Sequence, residues 1–88
     1  MKSIITVLGS GRWGTALATA LAVNGHEVRL WGRNAETMAD INNNRENVRY
    51  LPGVKLDESI QCFSDAEAAL KDAEMAVYVY YIHCSCVL

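Results

Sequence analysis

The segment Thr6-Val7-Leu8-Gly9-Ser10-Gly11-Arg12-Trp13-Gly14-Thr15-Ala16-Leu17 constrains the fold of this chain more than any other. It joins an apolar run, Ile4-Ile5-Thr6-Val7-Leu8, to an Ala- and Leu-rich stretch through Gly-x-Gly-x-x-Gly. A short β-branched run near the N-terminus suits a buried parallel strand. The residues from about Trp13 to Asn24 are good helix formers. Each glycine has a separate job. Gly9 makes the tight turn out of the strand, and Gly11 lets the backbone approach a ligand with no Cβ in the way. Gly14 lets the helix pack close against the strand. Ser10 lies in the same turn. Free N–H groups and the positive end of the helix dipole favour an anion there. The ligand implied is the pyrophosphate of a dinucleotide.

The flanking sequence agrees with this reading. Leu17 and Leu21 lie one helical turn apart, and Ala16 and Ala20 are placed to give a close-packing face. Gly25 stands where a left-handed helix cap is expected. Val28-Arg29-Leu30-Trp31 then resumes a strand pattern, with Glu27 at its start. Strand, glycine turn, helix and strand within ~30 residues make one βαβ unit with a right-handed crossover expected. In such units an acidic residue ~20 positions on commonly holds the ribose 2′-hydroxyl of NAD. Here the count lands on Trp31-Gly32-Arg33-Asn34, which holds no carboxylate. Arg33 offers a two-pronged guanidinium to the 2′-phosphate of NADP. The spacing therefore favours NADP, with NAD as the alternative and a solvated loop arginine as the bland reading of Arg33.

Further along, Asn34 is placed to cap a helix over residues 35–42, with Met38 and Ile41 inward and Thr37 and Asp40 outward. The polar run 42–47 is expected to leave that helix. Tyr50-Leu51-Pro52-Gly53 reads as a turn with an aromatic anchor. Residues 60–64 read as a strand, and Ser64 or Asp65 caps a helix over 66–71, where Ala68 or Ala69 packs beside Leu70. Residues 75–82 are continuously apolar, suited to another central strand. The order β-α-β-α-β-α-β is an α/β pattern: a parallel sheet with flanking helices. At 88 residues the chain has room for the first half of a doubly wound domain and little more.

Composition removes other classes. A net charge of −2 with mixed signs gives no basic footprint for nucleic acid. Arg29, Arg33, Arg45 and Arg49 are diluted by Glu27, Glu36 and Glu46. No run approaches the ~18 apolar residues of a membrane span, and no signal peptide precedes the first strand. Cys62, Cys84 and Cys86 are an odd number without a disulfide-framework spacing, which points to a reducing cytoplasm. A metal on Cys84-x-Cys86 would have only His83 nearby as a further ligand, so no metal site is expected.

The chain strongly resembles the N-terminal portion of bacterial NAD(P)-dependent glycerol-3-phosphate dehydrogenases. The resemblance rests on residues 9–17, on Asn24-Gly25-His26-Glu27-Val28, on Leu30-Trp31-Gly32-Arg33, and on residues 45–54. Trp13 between the second and third glycines, and Tyr50-Leu51-Pro52-Gly53, set it apart from generic Rossmann-like proteins. It covers residues 2 to about 77. The activity implied is reduction of dihydroxyacetone phosphate to glycerol 3-phosphate, for phospholipid synthesis, by hydride transfer from NADPH or NADH.

The resemblance also implies that Arg12, Trp13 and Arg33 line the cofactor. Arg12 stands where the family usually has a small residue, often serine. Either its backbone N–H alone or its side chain serves the phosphates. Trp13 also reads as a packing residue at the helix start, and Tyr50 as either a border of the pocket or a structural anchor. The family's catalytic lysines, substrate-binding residues and helical second domain lie beyond residue 88, and neither Lys55 nor Lys71 takes the place of a catalytic lysine. The chain alone is therefore not expected to turn over. Residues 78–88 lack the family's Pro-Ser turn, hold three of the four tyrosines and carry no charged Lys, Arg, Asp or Glu. They read as out of frame in a truncated chain, with a genuine buried strand of unusual sequence as the alternative. The competing functions are a non-catalytic dinucleotide-binding module and a fragment of another NAD(P)-dependent dehydrogenase.

Overall fold

The computed structural model describes residues 3–48 and 51–79. Strand β1 (Ile4–Leu8) leads through the glycine turn to helix α1 (Arg12–Val23). Strand β2 (Glu27–Trp31) and helix α2 (Ala35–Asn44) follow. A small hairpin, β3 (Glu46–Asn47) and β4 (Leu51–Lys55), precedes strand β5 (Gln61–Phe63). Helix α3 (Ala66–Leu70) and strand β6 (Met75–Tyr78) complete the described elements. Four strands form one parallel sheet in the order β5-β2-β1-β6. This is the Rossmann-like half-domain expected from the sequence.

Side-chain alternation explains how the sheet is covered. Ile5 and Val7 of β1 lie in register with Val28 and Leu30 of β2, and Leu30 with Cys62 of β5. All five are buried. Val7, Val28, Leu30 and Cys62 pack in one cluster with Ala18 and Ala22 of α1 and Met38 and Ile41 of α2. Thr6 and Arg29, also in register, point to the opposite face. There the buried Thr6 hydroxyl donates to the Ala69 carbonyl of α3 at 2.5 Å. Arg29 donates to the Ala69 and Lys71 carbonyls. The Thr6 hydroxyl and Arg29 Nη1 thus find acceptors on this face, while the buried Arg29 Nε has no partner among the described residues.

The local cap signals act as read. The Asn34 carboxamide accepts from Thr37 N at 3.0 Å, and Asp65 from Glu67 N at 3.1 Å. Gly25 takes φ +91° just past α1. Three expectations need correction. The buried stripe of α1 is Gly14, Thr15, Ala18 and Ala22, whereas Ala16 is only half-buried and Ala20 is exposed. Gly14 sits hard against the turn, and that contact sets the rotation of the helix. Positions four and eight further on must then face the sheet.

Second, the polar run does not break α2 at residue 42. The helix runs on to Asn44 and ends at Arg45 in the left-handed region, φ +58°. The Asn42 carboxamide donates to the Cys62 carbonyl at 2.9 Å and accepts from Cys62 N at 3.0 Å. It thereby supplies β5, the outer strand, with the pairing a neighbouring strand would give. Third, Leu51, Pro52 and Gly53, read as part of a turn, lie in β4, which pairs with β3 as an element inserted between α2 and β5. Glu46 lies opposite Lys55 and Asn47 opposite Leu51, with a bulge between.

β6 continues in register with β1 through Tyr78, and Val79 N donates to the Leu8 carbonyl at 2.9 Å. Residues 80–88, including His83, Cys84 and Cys86, lie outside the described residues, so most of the segment read as out of frame is not placed. Among the described residues, no helix is long and apolar enough to cross a membrane.

Burial pushes the Cys62 thiol up from 9.0 to about 11, with Arg45 acting in the opposite sense. The folded protein then keeps a proton that the unfolded chain has lost. The stability this contributes is whole below about pH 9 and disappears as pH rises through about 11. Urea unfolding at about pH 8 and about pH 10.5 should show a larger alkaline loss in the unaltered chain than in Cys62→Ala. Equal losses in both would remove Cys62 from the alkaline transition.

Candidate dinucleotide-binding site

The site lies at the carboxyl ends of β1 and β2, where parallel α/β sheets bind their ligands. Gly9 turns the chain out of β1 with φ +133°. Its N–H donates to the Trp31 carbonyl at 2.9 Å, and a Cβ at this position would come within 2.7 Å of the Val79 carbonyl oxygen. No L side chain fits both the dihedral and the space.

Gly11 is the N-cap of α1, with φ −72° and ψ −166°. A Cβ added here would meet nothing within 4 Å. Gly14 is the reverse: its Cβ would overlap the Gly9 carbonyl oxygen outright and lie 2.8 Å from the Gly9 carbonyl carbon. One glycine leaves room outside the protein, and the other removes a collision inside it.

Thr15 N donates to the Gly11 carbonyl at 3.0 Å and closes the first turn of α1. The preceding amides, those of Arg12, Trp13 and Gly14, have no intrahelical acceptor. No acidic residue occupies that turn, so the positive end of the dipole is not offset by the chain itself. Arg12 is exposed, and Trp13 is 71% exposed. The packing alternative for Trp13 therefore has little support within the described residues.

The loop after β2 lies directly beside this turn. Gly32 is buried, and a Cβ there would lie 2.8 Å from Ser10 Cβ and 2.7 Å from the Met38 methyl group. Gly32 N donates to the Phe63 carbonyl at 3.0 Å. The next side chain, that of Arg33, is exposed at the same end of the sheet. The structure thus brings Gly9, Ser10, Gly11, Arg12, Trp13, Gly14 and Arg33 to one edge. Tyr50 lies outside the described residues.

Three residues of this edge went unread in the sequence. Gly32 lets the two loops touch, and a glycine at the end of a strand is a faint signal of such an approach. The Thr15 hydroxyl donates to the Ser10 carbonyl at 3.2 Å. Asn47, 1% exposed, donates from Nδ2 to the Ser10 carbonyl at 2.9 Å and to Thr15 Oγ1 at 2.8 Å. No local pattern marks an asparagine for a contact 37 residues away. The described residues hold no cluster of three or more His, Cys, Asp or Glu suited to a metal ion.

Residues 4–84 match the family described as NAD-dependent glycerol-3-phosphate dehydrogenase N-terminus. The chain belongs to that family. Among its relatives, glycerol-3-phosphate dehydrogenase (NAD(P)+) of Bacillus mycoides strain KBAB4 is 53% identical over 75 residues. That alignment covers 85% of this chain and 22% of the relative. The crystal structure of glycerol-3-phosphate dehydrogenase from Coxiella burnetii superposes with a TM-score of 0.82 at 35% identity. It covers 88% of this chain and 24% of that one. The glycerol-3-phosphate dehydrogenase GPD1 of Saccharomyces cerevisiae gives 0.80 at 28% identity, over 90% of this chain and 26% of that one. The chain therefore spans about a quarter or less of the length of these three family members. The family resemblance read from the glycine turn and residues 24–54 is the family found.

Proposed function

We propose that this chain is the NAD(P)-binding part of a glycerol-3-phosphate dehydrogenase that reduces dihydroxyacetone phosphate to sn-glycerol 3-phosphate for phospholipid synthesis. The observation that carries the reading is the pairing of an open Gly11 with a turn locked on every other side. In this reading Gly9, Ser10, Gly11 and Gly14 form the pyrophosphate seat, with the amides of the first turn of α1 as donors. The exposed Arg12 and Trp13 flank it, and Arg33 takes the 2′-phosphate of NADP. NAD is the alternative cofactor.

When bound, the nicotinamide supplies hydride to a carbonyl carbon. The reduced oxygen then needs a proton donor. Lys55 donates to the Asn44 carbonyl at the far end of α2, at 3.3 Å. Lys71 follows α3, before β6 begins. Neither lies at the carboxyl edge of the sheet. In this reading the proton donor and the substrate pocket lie beyond residue 88 in a longer enzyme, and the 88 residues form the first half of its cofactor domain. We assign the protein to the cytoplasm because three cysteines without a disulfide-framework spacing suit a reducing compartment.

Fluorescence titration with NADPH and NADH tests this reading. Saturable binding without turnover of dihydroxyacetone phosphate is the expected result, and binding of neither dinucleotide overturns it. Arg33→Asp should weaken NADPH by roughly ten- to a hundredfold, the scale of a lost charge-assisted hydrogen bond. NADH should change little. Equal losses for both cofactors would take the 2′-phosphate role away from Arg33.

A further inference from the structure

We infer that Asn47 is a positioning residue that holds the Gly11 amide toward the ligand, an inference that rests on the dinucleotide reading of the turn. Asn47 comes from β3, outside the βαβ unit, yet its carboxamide reaches into the turn. The two Nδ2 hydrogens are divided between the Ser10 carbonyl, at 2.9 Å, and Thr15 Oγ1, at 2.8 Å. The Thr15 hydroxyl spends its own hydrogen on the same Ser10 carbonyl, at 3.2 Å. Ser10 O is therefore held from two directions, by two side chains that are both fully buried.

The consequence follows from the peptide bond. The Ser10–Gly11 unit is planar and trans, so its carbonyl and its N–H point in opposite directions. Fixing the Ser10 carbonyl inward aims the Gly11 N–H outward, into the space where a Gly11 Cβ would meet nothing within 4 Å. Gly11 is flexible by nature, and without an anchor this peptide is free to rotate. An amide held in place donates to a phosphate without paying to be oriented first.

The chemistry requires a carboxamide. Aspartate has nearly the same shape but donates nothing when ionised, and its charge would face the Ser10 carbonyl from a buried position. A preformed donor of this kind acts on the pyrophosphate, which NADPH and NADH share. Losses at Asn47 must therefore fall equally on both, unlike those at Arg33.

The test measures Kd and binding stoichiometry for NADPH and NADH in Asn47→Ala, Asn47→Asp, Thr15→Val and Thr15→Ser. Circular dichroism establishes which variants are folded. The expected result is a loss of about tenfold in Asn47→Ala and Thr15→Val, and more in Asn47→Asp, at unchanged stoichiometry. The NADPH-to-NADH ratio stays constant, and Thr15→Ser, which keeps the hydroxyl, binds as the unaltered chain does. A purely structural role would lower the folded fraction and the stoichiometry while leaving Kd alone, and that result overturns the inference. Unchanged Kd in folded Asn47→Ala overturns it too. If Asn47→Ala does not fold, Thr15→Val decides by the same criterion. If the unaltered chain binds neither dinucleotide, the functional reading falls first and takes this inference with it. Binding by the unaltered chain and by folded Asn47→Ala with equal affinity removes the inference alone.

Discussion

Gly14→Ala, a single added methyl group, is expected to cost this protein about 3 kcal/mol or more, beyond the usual ~1–3 for overpacking. Two effects of opposite sign compete at this position. Alanine in a helix is better than glycine by about 1 kcal/mol, which alone would make the substitution stabilising. Against it stands the geometry: the new Cβ would overlap the Gly9 carbonyl oxygen and crowd the Gly9 carbonyl carbon at 2.8 Å. Neither partner is the loose end of a side chain. Gly9 is held by its bond to the Trp31 carbonyl, so the turn cannot retreat without breaking into the sheet. The helix can retreat only by lifting Ala18 and Ala22 off Val7, Val28 and Leu30, the centre of the core. The clash wins. A fall in Tm well over 10 °C is expected, at about 4–8 °C per kcal/mol for a domain of this size. Calorimetry or thermal circular dichroism checks it. A variant melting at or above the original temperature would mean that α1 and the turn are not in the contact described.

Gly11→Val, three positions earlier in the same motif, is expected to do the opposite. Its φ of −72° suits any L residue, and its Cβ position is open to 4 Å. Losing a glycine N-cap costs up to about 1 kcal/mol, so Tm should move by only a few degrees. The branched side chain, however, occupies the approach to the amides of the first turn of α1. Both NADPH and NADH should lose at least about a hundredfold in affinity, near 2.7 kcal/mol. Undiminished affinity for either would remove the pyrophosphate from this turn. Taken together, the two variants separate what the motif does for folding from what it does for binding.

Much of the architecture is legible in the chain because its causes are local. The β-branched run ending at Leu8 and the cap residues Asn34 and Asp65 act over a few positions, so their residues announce them. Gly25 does the same with its positive φ, and the inward pair Met38 and Ile41 follows from helical periodicity alone. The glycine turn is legible for the same reason, together with Arg33 as the side chain at the end of the second strand.

Other features have causes that lie far apart in sequence. Ala16 and Ala20 have the same spacing as Ala18 and Ala22, and only the contact of Gly14 with Gly9 chooses between the two stripes. Asn42 looks like a helix breaker until Cys62, 20 residues on, is brought beside it. Asn47 sits in a run of polar residues and becomes part of the candidate site only when the β3–β4 hairpin folds back onto the turn. Composition and spacing by themselves determine that this chain makes a parallel α/β unit with a glycine turn between its first strand and helix, because backbone dihedrals and apolar periodicity are properties of neighbouring residues. Tertiary structure alone decides which face of α1 is buried, which amide of the turn is held outward and which asparagine holds it, because those outcomes depend on contacts between elements the chain has yet to bring together.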